Sequence, residues 1–427
     1  MAVRVFQSVL IIADDITGAN DTAAQFAKLG FSTVTTLDLK QVPELLTKYD
    51  VVAVDTESRA MEANQAHEAM LHLGKKIENT KDVLVYKKVD SPLRGNIVPE
   101  IKGLCETLKP SLVVFAPAFP KQGRTTVDGI QKVRGVPVDQ TYLGRDTRTP
   151  VKSSSIPSHF GSAFKGSYCH VLLDEVRSRK IPEIVAGSTV ASFDAENDDD
   201  LRTIVHSMVD APEITSIVWA GAAGLAEHVA YSVIVGSREG KPTLMAVGSV
   251  SDLTRNQVQM IVDELGARLV PVRVRSLIGD YENERARVLK KVLQAAASGS
   301  DTVVTTSHDR DQILESESMA SDLGLSTAEF GNTLASNFGE MISSIITSIG
   351  PSKFSGLFMT GGDVASSVMK HLGINSIEIK GEIEPGLPLL KHKSMNIVTK
   401  AGGFGNTDTL IKISARLKKK GDLSESG

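Results

Sequence analysis

The chain has 427 residues, 41% of them hydrophobic and 23% charged, and 47 Lys plus Arg against 51 Asp plus Glu leave a net charge of −4. That length points to more than one domain, and the balance lacks the basic surplus that steers a chain onto nucleic acid or an anionic membrane. Two cysteines, Cys105 and Cys169, are too few for a disulfide scaffold or a cysteine-rich zinc site.

The N-terminus, MAVRVFQSVLIIADD, ends its short apolar run in two aspartates, so it reads as a buried first strand and not as a signal peptide. No apolar run approaches the ~20 residues of a membrane span, and the expected compartment is the cytoplasm. Strands are expected at 9–13, 33–36, 51–54, 83–86, 112–116, 189–193 and 217–220. In the second half they are expected at 244–247, 269–272, 302–306, 357–360 and 396–399. Most of these runs are apolar throughout, which suits a parallel sheet covered on both faces. Amphipathic stretches at 22–29, 253–265 and 333–349 read as helices between them. The rhythm predicts an α/β protein of two Rossmann-like three-layer domains with mainly parallel sheets. A polar GSREGKP at 236–242, between a helical pattern at 224–235 and a fresh strand, divides the chain into domains 1–237 and 241–420. The stretch 144–157 reads as a loop, the acidic run 196–200 as a helix start at Asp198, and 418–427 as a frayed tail.

Six segments follow strands and carry chemistry-bearing residues. Asp14 and Asp15 in IIADDITGAND (11–21) are more than a helix cap needs, and paired carboxylates there can accept from hydroxyls, hold a cation or take a proton. YKKVDSPLRGNI (86–97) puts Lys87, Lys88, Asp90, Ser91 and Arg94 around Val89 within eight positions, a mixture suited to a small polyhydroxylated anion. Arg59, after the third strand, is placed to join it. APAFPKQGRTTVDG (116–129) reads as a mobile basic loop. GSVSDLTRNQV (248–258) offers Ser249, Ser251 and backbone N–H groups at a helix start. Thr360-Gly361-Gly362-Asp363 is the most specific phosphate signal, because paired glycines let a phosphate approach the backbone. Lys400, Gly402 and Gly403 open a further glycine-rich junction. Two look-alikes are set aside. GSREGK (236–241) misses the phosphate-loop spacing and its Ser/Thr, and GFGNTD (403–408) ends in Asp and follows the last strand. The nine histidines show no metal-binding spacing, and His170 and His228 read as structural. The metal ligands are left unassigned.

Taken in order, ADDITGAND, KKVDSPLRGN, FAPAFPKQGRTT, VGSVSDLTRNQ, TGGDVA, EPGLP (384–388) and KAGGFG resemble the four-carbon acid sugar kinases along nearly the whole chain. The resemblance implies an N-terminal domain that binds a sugar acid, a C-terminal domain that binds ATP, and an active site in the cleft between them. It implies Asp14, Asp15, Arg59, Lys87, Lys88, Val89, Asp90, Ser91 and Arg94 for the acid. For the nucleotide it implies Ser249, Ser251, Thr360, Gly361, Gly362, Asp363, Lys400, Gly402 and Gly403. ATP with Mg²⁺ would phosphorylate the terminal hydroxyl, with the base unresolved among Asp15, Asp90 and Asp363. The VGSVS start favours an aldonate, D-threonate and then D-erythronate, over 3-oxo-tetronate, with L-threonate a further alternative. A small-molecule partner and a homodimer are expected, without nucleic acid or membrane. A non-catalytic sugar-acid binder and an NAD-dependent oxidoreductase remain the other classes; three glycine-rich strand–helix junctions oppose the first and the lack of a dinucleotide fingerprint opposes the second.

Overall fold

The computed structural model describes residues 4–80, 82–235, 241–307 and 318–418. The chain divides into two compact units, 1–236 and 237–427; residues 236–240 of the expected boundary segment lie outside the described residues.

The N-terminal unit contains β1 (Arg4–Phe6), β2 (Ser8–Ala13), β3 (Thr33–Thr36), β4 (Val51–Asp55), β5 (Val83–Lys88) and β6 (Leu112–Ala116). It continues with β7 (Arg124–Val127), β8 (Ile130–Val133), β9 (Val136–Pro137), β10 (Tyr168–Val171), β11 (Val190–Phe193), β12 (Ile217–Gly221) and β13 (Val233–Val235). Its main sheet has the order β10-β11-β6-β12-β5-β2-β4-β3 and is parallel throughout. Every residue of β2, β4 and β6 is buried. Successive side chains point to opposite faces, so both faces must be covered, which is why these strands read as unbroken apolar runs. The chain leaves β2 toward β4 and β3 on one side and returns as β5 on the other. This makes the β2/β5 boundary a topological switch point, where an open α/β sheet forms its ligand crevice beyond the carboxyl ends of the strands.

The C-terminal unit repeats the plan. Its strands are β14 (Thr243–Val247), β15 (Arg268–Pro271), β16 (Thr302–Thr305), β17 (Gly356–Thr360), β18 (Glu378–Glu384), β19 (Leu387–His392) and β20 (Met395–Lys400). Their order is β15-β16-β14-β17-β20-β19-β18, parallel as far as β20 and antiparallel for the last two pairings. The switch point lies between β14 and β17.

Three expectations change. The segment expected as a mobile loop at 116–129 instead enters a three-stranded antiparallel sheet, β7-β8-β9. Buried Gln131 fastens that sheet, accepting from the Thr126 hydroxyl and donating to the Ser91 carbonyl at 2.7 Å. EPGLP forms the turn of the β18–β19 hairpin. The helix expected at 224–235 stops at Ser232, and β13 pairs with β1. Lys418 is not frayed: its Nζ pairs with buried Asp301 at 2.8 Å. The rest of the expected tail, 419–427, lies outside the described residues. The helix at 198–209 does begin at Asp198, with Asn197 as its cap.

Candidate functional site

In the N-terminal unit the site is built on the carboxyl ends of β2, β4 and β5. Ala13 stands beside Asp55 on one side and Lys88 on the other, so the residues that follow these strands gather at one edge. Asp15 caps the helix Ile16–Ala27 by accepting from the Gly18 N–H at 2.8 Å. The helix cap that sequence alone would assign to one of the two acids is therefore Asp15. A Cβ on Gly18 would stand 2.7 Å from Asp15 Oδ1 and 3.0 Å from Lys88 Nζ. That close approach is what the glycine makes possible.

Arg59 binds both acids. Its Nε and Nη2 donate to the two oxygens of Asp14 at 2.7 and 2.9 Å, and its Nη1 donates to Asp15 Oδ2 at 2.6 Å. Asp90 lies 3.8 Å from the same guanidinium. Asp90 is itself held by Arg94, whose Nε and Nη2 donate at 2.9 Å each, and it accepts from the Arg94 backbone N–H at 3.2 Å. Gly95, at φ 89°, passes over this cluster, where a Cβ would stand 3.2 Å from Asp14 Oδ2. Burial pushes the Asp14 carboxyl upward, but the Arg59 hydrogen bonds and the charges of Lys87, Arg59 and Lys88 outweigh it and hold it below the ordinary carboxylate range. Burial lowers the Lys88 ammonium, against the pull of Asp14 and Asp90. Lys88 is 6% exposed and donates to the Val89 carbonyl at 2.7 Å.

The expected residues divide into two groups. Asp14, Asp15, Arg59, Lys88, Asp90 and Arg94 meet in one cluster, and Ser91 lies in the same turn. Val89 turns its side chain into the core and contributes its carbonyl. Lys87 is wholly buried and pairs with Glu100 at 3.2 Å. Strand alternation explains the split, because adjacent lysines must diverge. Sequence reading missed Ser58, Asn96 and Glu100. Asn96 donates to the carbonyls of Ser58 and Met61 at 2.9 and 2.8 Å, fixing the turn that carries Arg59. Its place in the RGN triplet was the available signal. Glu100, inside the helix Ile97–Leu108, has no such marker.

In the C-terminal unit three strand-to-helix junctions stand side by side, with Val247 paired to Thr360 and Thr360 to Lys400. Ser251 caps the helix Asp252–Leu265, and its hydroxyl also donates to the Gly402 carbonyl at 2.7 Å. Thr254 Oγ1 donates to the same carbonyl at 2.9 Å. Gly402 lies against Ser249 so closely that a Cβ there would collide with the Ser249 hydroxyl. Gly361, at φ 97°, precedes the helix Gly362–His371, whose start has no side-chain cap. Around Gly362 nothing lies within 4 Å of where a Cβ would stand. That helix start therefore offers N–H groups and open approach, which suits a phosphate. Asp363 is exposed in its first turn, and Gly403 is exposed in the neighbouring loop. Lys400 does not extend outward. Its Nζ donates to Thr254 Oγ1 and to the carbonyls of Ala401, Gly402 and Phe404 at 3.0–3.2 Å, so it braces the glycine loop from below. Burial pushes its ammonium down to about 8. Glu384 of the EPGLP turn holds the helix Thr409–Leu417 that follows this loop, accepting from Thr409 at 2.5 Å and pairing with Lys412 at 2.6 Å. Among the described residues no group of three or more His, Cys, Asp or Glu could hold a metal ion, and no helix is long and apolar enough to cross a membrane.

The first arrangement, cations beside hydrogen-bond-accepting carboxylates, suits a small hydroxylated anion, and the second, a backbone cradle, suits phosphate. A family described as a sugar-binding N-terminal domain matches residues 9–229, and one described as a nucleotide-binding C-terminal domain matches residues 244–410. A D-threonate kinase of Salmonella typhimurium is 32% identical, over 94% of this chain and 96% of its own. A D-erythronate kinase of Heliobacterium modesticaldum is 31% identical, over 94% and 95%. A 3-oxo-tetronate kinase of Haemophilus influenzae is 25% identical, over 93% and 97%. Among solved structures, a protein of unknown function from Bordetella bronchiseptica, a domain-swapped dimer with bound citrate, superposes with a TM-score of 0.68 at 26% identity. That match covers 96% of this chain and 98% of the other.

Proposed function

The chain belongs to the four-carbon acid sugar kinase family and is a sugar-acid phosphotransferase, and from that premise we propose that it transfers the γ-phosphoryl group of ATP to the terminal 4-hydroxyl of D-threonate, with D-erythronate the next candidate. The observation that carries the reading is the cluster of Asp14, Asp15, Arg59, Lys88, Asp90 and Arg94 at the carboxyl edge of a parallel sheet. The aldonate preference is supported by the 31–32% identity to D-threonate and D-erythronate kinases, against 25% to a 3-oxo-tetronate kinase. Citrate in the Bordetella structure is likewise a hydroxylated carboxylate, and the dimeric state of that protein supports a homodimer here.

Each side chain has a physical role in this reading. The substrate carboxylate is an anion, so it goes to Lys88, Arg94 and the exposed side of Arg59. Carboxylates facing it would repel it, so Asp14, Asp15 and Asp90 take its hydroxyls. Among these three, Asp15 is the most open, with 30% of its side chain exposed against 3% for Asp14 and 9% for Asp90. We therefore assign to Asp15 the orientation of the attacking hydroxyl, with Asp363 the alternative on the nucleotide side. Phosphoryl transfer through a loose transition state asks chiefly for positioning, which is what a carboxylate held at the strand end supplies. The nucleotide phosphates would rest on the N–H groups following Gly361 and on the Ser249–Ser251 turn, beside Gly402. Mg²⁺ would neutralise the triphosphate, and Asp363 is the carboxylate best placed to join its phosphate and water ligands.

A coupled ADP-release screen over the tetronates of each configuration, L-threonate and 3-oxo-tetronate included, tests the proposal. The expected result is the highest kcat/KM for D-threonate, with ³¹P NMR placing the phosphate on O4. ADP release with none of these acids, together with no calorimetric binding of ATP–Mg²⁺, would favour a non-catalytic sugar-acid binder.

A further inference from the structure

Lys87 and Glu100 form an ion pair with almost no access to solvent: Lys87 is 0% and Glu100 1% exposed. Burying two charges is costly, and a well-packed apolar pair would serve stability equally well, so the pair invites a reason beyond stability. Its contacts supply one. Lys87 Nζ lies 3.2 Å from Glu100 Oε2 and donates to the carbonyls of Ile12 at 3.4 Å and Lys88 at 3.1 Å. Those two carbonyls belong to the strand ends that deliver Asp14 and Asp15 on one side and Asp90 on the other. The second oxygen of Glu100 accepts from the Ser58 hydroxyl. Ser58 Oγ is also 2.7 Å from Thr56 Oγ1, which donates to the Ala13 carbonyl at 2.8 Å. Ser58 immediately precedes Arg59, and its carbonyl is held by Asn96 at the start of the Glu100 helix.

We propose that Lys87 and Glu100 are positioning residues: the buried pair ties the ends of β2 and β5 to the Ser58 turn, and so sets Arg59 in the place where it grips Asp14 and Asp15. Lys87 then acts on the sugar acid through Arg59 and does not touch it. This rests on the assignment of the Arg59 cluster as the acid site. It is the structure, and not the basic character of the KKVD segment, that distinguishes Lys87 from its neighbour Lys88.

The test compares K87M/E100M, E100Q and S58A with the wild type. Trp219, the single tryptophan, is buried in β12 of this unit between β5 and β6, so its fluorescence follows the unfolding of the N-terminal sheet. K87M/E100M removes both charges and is expected to melt near the wild type. Its KM for the acid nevertheless rises about tenfold or more, with KM for ATP within twofold, because misplacement of a positioning group costs rate and affinity at the site it serves. S58A gives a smaller rise in the same parameter. Wild-type KM for the acid in folded K87M/E100M, or in S58A should the double variant fail to fold, overturns the proposal. A second readout needs no substrate. If Glu100 acts through Arg59, the drop in melting temperature caused by R59A becomes smaller by half or more in an E100Q background. Full additivity of the two changes also overturns it. A wild type inactive on every tetronate defeats the proposed function instead, and the melting cycle still decides the positioning role.

Discussion

Replacing Arg59 by alanine removes the guanidinium that occupies both oxygens of Asp14 and one of Asp15. Breaking a buried ion pair by deleting one partner costs ~3–5 kcal/mol, because the remaining charge stays buried. Here the cost is moderated: the Arg59 side chain is 18% exposed, and Lys87 and Lys88 still act on Asp14. A loss of about 2–3 kcal/mol at neutral pH follows. For a unit of this size that is a fall of roughly 5–10 °C in melting temperature. The loss has a defined pH dependence. In the native protein the Asp14 carboxyl is held low, so its ionised form stabilises the fold above the ordinary carboxylate range, and that contribution disappears as pH falls through the range. In the variant burial is no longer outweighed to the same degree, the carboxyl moves upward, and protonation relieves the buried charge. The two stability curves therefore converge toward about pH 4. Thermal melts followed by Trp219 fluorescence between pH 4 and pH 8 measure this on the N-terminal unit. A deficit equal at both ends of that range, or no deficit at pH 7.5, would refute the electrostatic reasoning. In the same variant the proposed function expects a raised KM for the acid and an unchanged KM for ATP.

Three further outcomes are expected. Gly362→Val adds a Cβ that meets no atom within 4 Å and needs no unusual backbone, so it leaves the melting temperature near the wild-type value while raising KM for ATP about tenfold or more and sparing KM for the acid; equal effects on both substrates would contradict the division of labour. Lys400→Met tests the buried lysine. The folded protein releases that proton near pH 8 while the unfolded chain keeps it to about pH 10.4, so the stability of the C-terminal unit rises with pH across the window, and calorimetric melts of the variant lose that rise. Lys418→Glu places a second negative charge against buried Asp301, which also accepts from the Thr243 N–H at 2.7 Å and the Ser414 hydroxyl at 2.5 Å; a stability loss of about 1–3 kcal/mol is expected in denaturant titrations, with kinetics intact at permissive temperature.

Much of this protein is legible in local patterns. The twelve expected runs all form strands, and the central ones are plain to read because a parallel strand buried on both faces needs no alternation and so shows itself within a few residues. The antiparallel pieces were harder to see. β18, at the sheet edge, reads EIKGEIE and leaves most of its side chains to solvent, and β7 to β9 are short and polar, so neither carries the apolar density that marks a core strand. The strand-to-helix junctions are also local, since glycines, capping hydroxyls and acids at a strand end are features of single turns. Sequence alone thus determined the type of most core elements, the α/β rhythm and the candidate segments for chemistry. It did not determine which segments meet. Arg59 reaches Asp14 across 45 positions because β4 lies beside β2, and Lys400 braces Thr254 because its loop packs against the turn that follows β14. Strand order is fixed by long-range burial, in which each strand chooses neighbours by the whole surface it covers, and no window of sequence contains that competition. The same holds for Lys87: its chemistry was written in the chain, but only the buried partner contributed by a later helix decided that its charge faces inward.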